Sequence, residues 1–256
     1  MNDPVSLPEL LARSTPEHRL ARFAEGRDVY GSGELRWLCS PPGAVQSAID
    51  LANPRCPVLA NHIAMSLAAA LPSRVARILD LGSGCGVLLR FARAVFPGAE
   101  VTGVEQDPAM LEIARTHFAL PPDEAVIVAS ALDYLETSRG TWDLVFSDLF
   151  EGLREPDWLL SEAFCAALGA ALAPDGVAAL NLLPLAKERL ETQLKTARRH
   201  FPGTALLSAG DQDNVVLVLS PSRWDQHRWE QRLRGEADID FGSSARAIFG
   251  SLRVLS

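Results

Sequence analysis

The sequence predicts an α/β protein with a mostly parallel sheet and helices on both of its faces. An apolar run at 75–79 leads into a glycine-rich loop and then into a helix-forming run at 87–96. From residue 74 onward, short apolar runs with strand character alternate with runs of helical length. This alternation is typical of a parallel sheet whose strands are connected by helices. Several of the predicted strands also end on a carboxylate.

Length and composition are those of an ordinary globular protein. The chain has 256 residues, of which 48% are hydrophobic and 22% are charged. This is enough for one large domain, or for one domain with a small appendage. The formal charge of −8 argues against nucleic acid as a partner and is compatible with a cationic substrate. No apolar stretch reaches the length of a membrane span, so we expect no membrane partner.

The N-terminus and the cysteines predict a cytoplasmic protein. The first nine residues lack the basic and apolar regions of a secretory signal. The cysteines are widely scattered and have no spacing typical of zinc ligands or of a redox dithiol. They are Cys39, Cys56, Cys85 and Cys165. We therefore expect a reducing compartment and no metal site.

The front of the chain predicts a small β-rich cap. Residues 16–24 have an amphipathic helical pattern, and the runs at 28–30 and 34–39 predict two strands around a glycine turn. This section is too small to form a core of its own. We therefore divide the chain into a lead-in with a cap, a main α/β domain, and a C-terminal helix with a tail: 1–56, 57–220 and 221–256.

The main domain is predicted to contain seven strands. They lie at 75–79, 101–105, 125–129, 142–148, 177–182, 204–208 and 214–220. Helices are predicted at 59–71, 87–96, 109–118, 131–136, 161–172, 185–200 and, beyond the last strand, 224–234. Asp107 and Pro108 form a typical helix start, with an acidic cap followed by proline in the first turn. A short polar connection before the last strand indicates an antiparallel pair.

The glycine-rich loop predicts a nucleoside site. Gly82, Gly84 and Gly86 follow a strand that ends near Asp80. Glycine allows the backbone to turn sharply and a ligand to approach it closely. The next strand ends about twenty residues later, on Glu105, whose carboxylate could bind a ribose hydroxyl.

Four predicted strands carry polar groups at their carboxyl ends. These groups are Asp80, Glu105, Ser130 and Asp148. In an open α/β sheet, ligands bind beyond the carboxyl ends of the strands. One such acid alone is as well explained by a helix cap or a solvated turn. The set of four indicates one shared crevice.

The motifs resemble a known fold and one of its branches. Asp80-Leu-Gly-Ser-Gly-Cys-Gly86, followed by Gly103-Val-Glu105-Gln-Asp-Pro, resembles the Rossmann-like class I S-adenosylmethionine-dependent methyltransferase fold. The segments around Gln46 and from Asp148 to Glu151 make the chain similar to spermidine synthases, the polyamine aminopropyltransferases. The similarity covers roughly residues 28–220. It implies a mostly parallel seven-stranded sheet with an antiparallel last strand, preceded by a β-rich section.

The resemblance also implies roles for individual residues. Glu105 would bind the ribose hydroxyls, and the loop from Gly82 through Ser83 and Gly84 to Gly86 would pack against the nucleoside and its sulfonium side chain. Gln46 would contact the same donor. Asp148 matches the acid that orients and helps to deprotonate the attacking amine. Glu151 stands where a second acid of that loop usually lies, and it could hold the distal ammonium of a polyamine.

The sequence departs from the spermidine synthases at three places. Cys85 replaces an aspartate in the glycine loop, and Ser130 replaces an aspartate after the third strand. We expect Cys85 to be a small packing residue, with a reactive thiol beside the sulfonium as the alternative. His62 lies near the position of an expected tyrosine. It could replace that tyrosine near the donor, but we expect a surface or half-buried helix histidine there. Asp80, in contrast, is the acid that methyltransferases carry at this position.

Three functions therefore remain open. The first is transfer of an aminopropyl group from decarboxylated S-adenosylmethionine to a diamine or polyamine, with release of methylthioadenosine. The second is methyl transfer from S-adenosylmethionine to an unidentified substrate, and the third is nucleoside binding without catalysis. The acceptor is not identified by any motif. The oligomeric state is also open, although the β-rich section of the resembling family often mediates homodimers.

Overall fold

The computed structural model describes residues 5–41, 43–138, 140–184, 186–209, 213–223, 226–231, 248 and 250–255. Within these residues, a four-stranded antiparallel sheet precedes an eight-stranded mixed sheet. The predicted order, a small β-rich section followed by an α/β body, is confirmed.

The N-terminal sheet consists of four strands, each paired with the next in the chain. They are β1 (Arg19–Arg22), β2 (Asp28–Ser32), β3 (Leu35–Ser40) and β4 (Ala44–Asp50). β2 and β3 are the strands predicted on either side of a glycine turn. Trp37 of β3 is completely buried in a small apolar cluster, together with Leu10 from the first helix, α1 (Leu7–Ala12).

The helix predicted over 16–24 is wrong. Strand β1 occupies this segment because it pairs with β2, and Asp28 accepts two hydrogen bonds from the Arg22 guanidinium at 2.7 and 2.8 Å. The first helix lies earlier, where Ser6 Oγ accepts a hydrogen bond from the Glu9 N–H at 3.3 Å. The serine-x-x-glutamate spacing is a helix-start signal that the sequence does contain.

All seven predicted strands of the main sheet are present. They are β5 (Arg77–Leu81), β6 (Glu100–Glu105), β7 (Val126–Val128), β8 (Trp142–Ser147), β9 (Leu172–Leu182), β10 (Gly203–Ser208) and β11 (Val215–Ser220), and an eighth, β12 (Arg253–Val254), is added. The spatial order is β12-β10-β11-β9-β8-β5-β6-β7. Neighbours from β9 to β7 pair in parallel, whereas β11 runs antiparallel to both β9 and β10.

Helices cover both faces of this sheet, as predicted. They are α2 (Ala60–Leu67, extended by a short 3₁₀ turn, Ala68–Ala70), α3 (Val87–Val95), α4 (Pro108–His117), α5 (Ala131–Thr137), α6 (Glu162–Ala171) and α7 (Lys187–His200). Helices α2, α3 and α4 contribute to the apolar core on one face, and α5, α6 and α7 contribute to the core on the other. None of the helices in the described part of the chain is long and apolar enough to cross a bilayer.

Two features of the sheet differ from the prediction. β9 begins at Leu172 rather than at residue 177, and its register with β8 shifts, so that residues 173–176 have no partners in β8. β12 falls within the predicted tail, where Ile248 and Leu252 are buried in the main core. A two-residue strand is too short to produce a pattern in the sequence. Of the helix predicted at 224–234, the structure describes α8 (Gln226–Gln231), and the other positions lie outside the described residues.

The strand order creates a switch point between β5 and β8. The chain proceeds from β5 to β6 and β7 on one side, and then crosses to β8 and β9 on the other. A crevice forms beyond the carboxyl ends of the strands at such a point. This crevice positions the candidate site.

Candidate active site

A cavity of about 760 Å³ lies beyond the carboxyl ends of β5, β6 and β8. Its walls include the N-terminal section with α1 and β4, the start of α2, the glycine loop, the end of β6, the segment that follows β8, and the end of β9 with the residues before β11. The cavity is large enough for a nucleoside together with a second small molecule. It contains most, but not all, of the residues that the sequence predicted as site residues.

The charges around the cavity are mainly negative. Its described lining contains seven carboxylic acids and one arginine; the acids are Glu25, Asp80, Glu105, Asp107, Asp148, Glu151 and Asp213. The arginine, Arg27, pairs with Asp107 at 2.6 Å and with Glu25 at 2.9 Å. These pairs leave the other carboxylates without a guanidinium partner in the lining, so the cavity favours a cationic ligand.

Gly82 brings the glycine loop against the segment after β8. Its N–H donates to the main-chain oxygen of Val104 at 2.8 Å, and its φ of +78° lies in the left-handed region that favours glycine. A Cβ at this position would collide with the backbone carbonyl of Asp148. The close approach of these two segments therefore requires glycine here.

Glu105 lies at the end of β6 and is bonded to backbone on both sides. Its Oε2 accepts the Gly84 N–H at 2.8 Å, and its Oε1 accepts the Asp107 N–H at 2.9 Å. Burial raises the pKa of Glu105 above its usual range, whereas the two N–H donors act in the opposite direction. The carboxylate lines the cavity, as expected for a group that binds ribose.

Asp80 is a buried acid with no partner for its carboxylate. The residue is 1% exposed, lines the cavity, and has no hydrogen bond on either carboxylate oxygen within the described structure. Burial raises the pKa of Asp80 to about 8, and the charges of Asp148 and Glu105 act in the same direction. The nearby Ser83 hydroxyl, which donates to the main-chain oxygen of Asp80 at 3.1 Å, acts in the opposite direction. A buried carboxylate without a donor is unfavourable. A cationic group in the cavity would supply the missing partner.

Asp148 follows β8 and is held by two side chains. Nε2 of His62 lies 2.9 Å from Oδ2 of Asp148, and the Asn181 amide donates to Oδ1 at 2.8 Å. The Asn214 amide in turn donates to the Asn181 side-chain oxygen at 2.9 Å. All four side chains belong to residues that line the cavity.

The sequence did not identify three members of this cluster as site residues. His62 is 3% exposed and bonded to Asp148, so the expectation of a surface or half-buried histidine is wrong. Every residue of α2 is buried, and this burial turns the imidazole toward the sheet. Asn181 is a polar residue within an otherwise apolar buried strand, which is a signal that the sequence does contain. Asn214 stands just before β11 and has no comparable signal.

The two acids of the segment after β8 have different surroundings. Glu151 is exposed at the cavity, and its main chain forms a bridge with Arg154. Glu155 is buried, accepting the Leu183 N–H at 2.7 Å and the Gln193 amide at 2.8 Å. Glu151 is therefore accessible to a ligand, whereas Glu155 holds the segment to β9 and α7.

Three further predicted residues differ in their relation to the cavity. Gln46 of β4 lines it and is half-buried. Ser130 begins α5 and lies outside the lining, although its neighbours Ala129 and Ala131 are part of it. Gly86 begins α3 and also lies outside the lining; a Cβ there would be 2.9 Å from Leu120. The need for glycine at residue 86 therefore comes from its backbone, whose φ of +78° lies in the left-handed region, and not from contact with a ligand.

Cys85 lines the cavity and also contacts the N-terminal sheet. The residue is 2% exposed and belongs to an apolar cluster with Val29, Leu38 and Ile49. Burial raises the pKa of the Cys85 thiol to about 12, while the Ser47 hydroxyl acts in the opposite direction. The thiol therefore stays protonated, and the expectation that Cys85 is a packing residue fits this environment.

Comparisons with known proteins agree with this geometry. Residues 78–176 match the family described as methyltransferase domain. The polyamine aminopropyltransferase of Chromobacterium violaceum is 28% identical over 225 residues, which cover 84% of this chain and 86% of the relative. A solved structure of a probable spermidine synthase from Corynebacterium glutamicum has a TM-score of 0.73 at 18% identity, covering 91% of this chain and 94% of that one.

Polyamine aminopropyltransferases from two serogroups of Neisseria meningitidis are equally similar to this chain. The polyamine aminopropyltransferase of Neisseria meningitidis serogroup A is 30% identical over 214 residues, which cover 79% of this chain and 80% of the relative. The resemblance predicted from the sequence motifs is confirmed. The chain belongs to the polyamine aminopropyltransferase family.

Proposed function

We propose that the protein transfers an aminopropyl group from decarboxylated S-adenosylmethionine to a small amine, with release of methylthioadenosine. One observation carries the proposal: the Asp148 carboxylate faces a cavity of predominantly negative charge and is fixed by donors on both of its oxygens. An attacking amine needs such a group, because a carboxylate can orient the nitrogen and accept its proton.

The donor would lie along the glycine loop. Glu105 binds the ribose hydroxyls, since each of its oxygens keeps a lone pair beyond the one given to the backbone. Gly82, Ser83 and Gly84 contact the sulfonium side chain. Asp80 binds the terminal ammonium of the aminopropyl group, which supplies the partner that its buried carboxylate lacks.

The reaction needs one proton acceptor and one leaving group. The donor supplies a carbon activated by a sulfonium. The amine nitrogen forms a bond to that carbon, the carbon–sulfur bond breaks, and its electron pair remains on sulfur as a neutral thioether. Asp148 receives the proton lost by the amine. Glu151, exposed beside it, binds the distal ammonium of a diamine or polyamine.

The charge of the cavity supports the decarboxylated donor. That donor carries a sulfonium and an ammonium, whereas S-adenosylmethionine carries an additional carboxylate. Asp80, Glu105 and Asp148 would face the added negative charge, and the arginine of the lining is paired with Asp107 and Glu25. Repulsion between these carboxylates and the carboxylate of S-adenosylmethionine would disfavour binding of that donor.

Methyl transfer from S-adenosylmethionine is the second candidate. Two observations favour it: Asp80 is the acid typical of methyltransferases, and residues 78–176 match a methyltransferase domain. The third alternative, nucleoside binding without catalysis, predicts donor binding and no turnover.

The test uses purified protein with each donor and a panel of diamines, polyamines and monoamines. Mass spectrometry of the products distinguishes an added aminopropyl group from an added methyl group, and calorimetry measures the affinity of each donor. We expect aminopropylated amine, methylthioadenosine, and tighter binding of the decarboxylated donor. Methylated product would support the second candidate, and binding without product would support the third.

Location, partners and assembly are also part of the proposal. We keep the predicted cytoplasmic location, with which the four free cysteines are consistent. The partner would be a small-molecule amine, without nucleic acid or membrane. A homodimer and the division of the chain near residues 56 and 220 stay predictions.

A further inference from the structure

His62 and Asp148 form a pair that connects α2 to the end of β8. Nε2 of His62 lies 2.9 Å from Oδ2 of Asp148, although the two residues are 86 positions apart in the chain. His62 lies near the position where the resembling family is expected to have a tyrosine, so its contact with Asp148 is not given by the motifs that carry the resemblance.

The hydrogen bond identifies the ring nitrogen that carries the proton. An ionised carboxylate can only accept, so the imidazole must donate from Nε2. The other nitrogen, Nδ1, is buried and has no hydrogen-bond partner in the described structure. A neutral ring with its proton on Nε2 satisfies the bond and leaves only an acceptor unpaired.

The surroundings of the pair indicate which member meets the substrate. The His62 side chain is 4% exposed and that of Asp148 is 18% exposed. Nδ1 is inaccessible, and Nε2 is already bonded to Asp148. His62 therefore has no nitrogen available to take a proton from an amine, whereas each Asp148 oxygen keeps a second lone pair.

A second donor completes the arrangement. The Asn181 amide donates to the other oxygen of Asp148 at 2.8 Å, and Asn214 fixes that amide by donating to its oxygen at 2.9 Å. Donors on both oxygens determine the plane of the carboxylate. Rotation of that plane would break at least one bond.

We propose that His62 is a positioning residue, which donates from Nε2 to hold the Asp148 carboxylate in the orientation that receives the amine proton. The inference rests on the proposed function and deepens it. A misplacement of about 1 Å at a reacting group can reduce turnover about 100-fold. The effect should therefore appear in kcat, and donor binding should be unchanged.

The first test measures the hydrogen bond without any reaction. In protein labelled with ¹⁵N-histidine, NMR reports which ring nitrogen of His62 carries the proton. We expect a protonated Nε2 whose proton signal is shifted or lost in Asp148→Ala. A ring that carries its proton on Nδ1 alone, or a signal unaffected by Asp148→Ala, would overturn the inference.

The second test separates positioning from other roles by conservative rescue. The glutamine amide can donate from nearly the same place as Nε2 but cannot act as a base. We expect kcat to fall about 100-fold in His62→Phe, and to stay within about tenfold of the native value in His62→Gln, with donor affinity unchanged in both. Full activity in His62→Phe, or equal losses in two folded variants, would contradict positioning.

A matched control is available in another histidine–carboxylate pair. Nε2 of His200 lies 2.6 Å from Glu162 Oε2, and neither residue lines the cavity. His200→Phe should leave kcat and the His62 signal unchanged, and a loss equal to that of His62→Phe would count against a specific role. If the native protein transfers no aminopropyl group, the proposed function fails, and the NMR test still decides whether His62 donates to Asp148.

Discussion

Glu105 bonds the end of β6 to the glycine loop through the Gly84 N–H, which lies 2.8 Å from its Oε2. The other oxygen accepts the Asp107 N–H at 2.9 Å. One buried carboxylate thus fixes the backbone on two sides of the donor site. Glu105 should therefore support donor binding in two ways, by contacting the ribose directly and by fixing the conformation of the glycine loop.

Glu105→Gln should weaken donor binding more than it weakens the fold. An amide has one acceptor atom, so one of the two backbone N–H groups would face an NH₂ donor. The ribose hydroxyls would in addition donate to a neutral amide in place of a carboxylate. Hydrogen bonds to charged groups contribute about 1.5–3 kcal/mol, so losing the charged acceptor should reduce donor affinity about 10- to 100-fold. Calorimetry measures it, with Glu112→Gln on the exposed face of α4 as the control. Equal affinities in the two variants would exclude Glu105 from the donor site.

Asp148→Asn should remove turnover while preserving donor binding. The amide keeps the size of the side chain but cannot accept the proton of the amine. Loss of a general base reduces kcat by about 10²- to 10⁴-fold. Steady-state kinetics and calorimetry together check both parts. Asp157→Asn is the control, because the Asp157 side chain lies in the same segment and is 98% exposed. Native kcat in Asp148→Asn would remove this carboxylate from the chemistry.

Asp80 should make the stability of the ligand-free protein depend on pH. Its pKa is raised to about 8 from the 3.8 of an ordinary aspartate, so between these values the folded protein holds a proton that the unfolded chain has released. The free energy of unfolding therefore falls as pH rises, by up to about 1.4 kcal/mol per pH unit. Glu105 contributes in the same direction, because burial also raises its pKa.

Urea titrations of the native protein and of Asp80→Asn at several pH values measure how much Asp80 contributes to the pH dependence of the free energy of unfolding. We expect a smaller slope of stability against pH in Asp80→Asn and, near pH 8, a more stable variant, since the buried charge is absent.

A second readout is proton release on binding of the donor. A cationic donor favours the ionised carboxylate, so the native protein should release a proton near neutral pH. Calorimetry in buffers of different ionisation enthalpy detects it. Identical slopes and identical proton release in both proteins would contradict the assignment.

Local sequence rules were sufficient to predict Asp80, Glu105 and Asp148 at one crevice. Each lies at or near the carboxyl end of a strand, and parallel neighbours bring such ends together. The surroundings of Asp148 were not predictable in the same way. Its bond to His62 spans 86 positions and depends on α2 being buried along its whole length. No periodicity in a run of alanine and other apolar residues shows which face will meet β8.

The packing contacts of the Cys85 side chain could not be predicted from the local sequence either. Its position in the glycine loop predicts that it lies near a ligand, and it does line the cavity, but it also packs beside Val29, Leu38 and Ile49 of β2, β3 and β4. That contact joins two sheets whose relative placement the sequence does not encode locally. In contrast, the first helix was predictable from Ser6 and Glu9. It was missed because the amphipathic pattern at 16–24 was interpreted as the first helix instead.

Cys85→Asp should destabilise the fold rather than restore a donor contact. The aspartate would place a charge among apolar residues of the N-terminal sheet, where the Cys85 thiol has a pKa of about 12 because of burial. An uncompensated buried charge costs about 3–5 kcal/mol. Urea unfolding measures this loss, and Cys56→Asp, at a partly exposed position, should cost about 1 kcal/mol or less. Stronger donor binding by a stable Cys85→Asp would show that residue 85 faces the ligand.

Glu151 and Glu155 should separate substrate binding from stability within one segment. Glu155→Ala removes the acceptor of the half-buried Leu183 N–H and of the buried Gln193 amide, and unpaired donors of this kind cost about 2–4 kcal/mol together. Glu151→Ala removes an exposed side chain and should change stability by about 0.5 kcal/mol or less.

Glu151→Ala should instead weaken binding of the acceptor amine. The KM for a diamine should rise, because the distal ammonium loses its partner, and the KM for a monoamine should stay the same. Urea unfolding and acceptor kinetics check both variants. Parallel changes in the KM of the diamine and the monoamine would mean that Glu151 does not bind the distal ammonium.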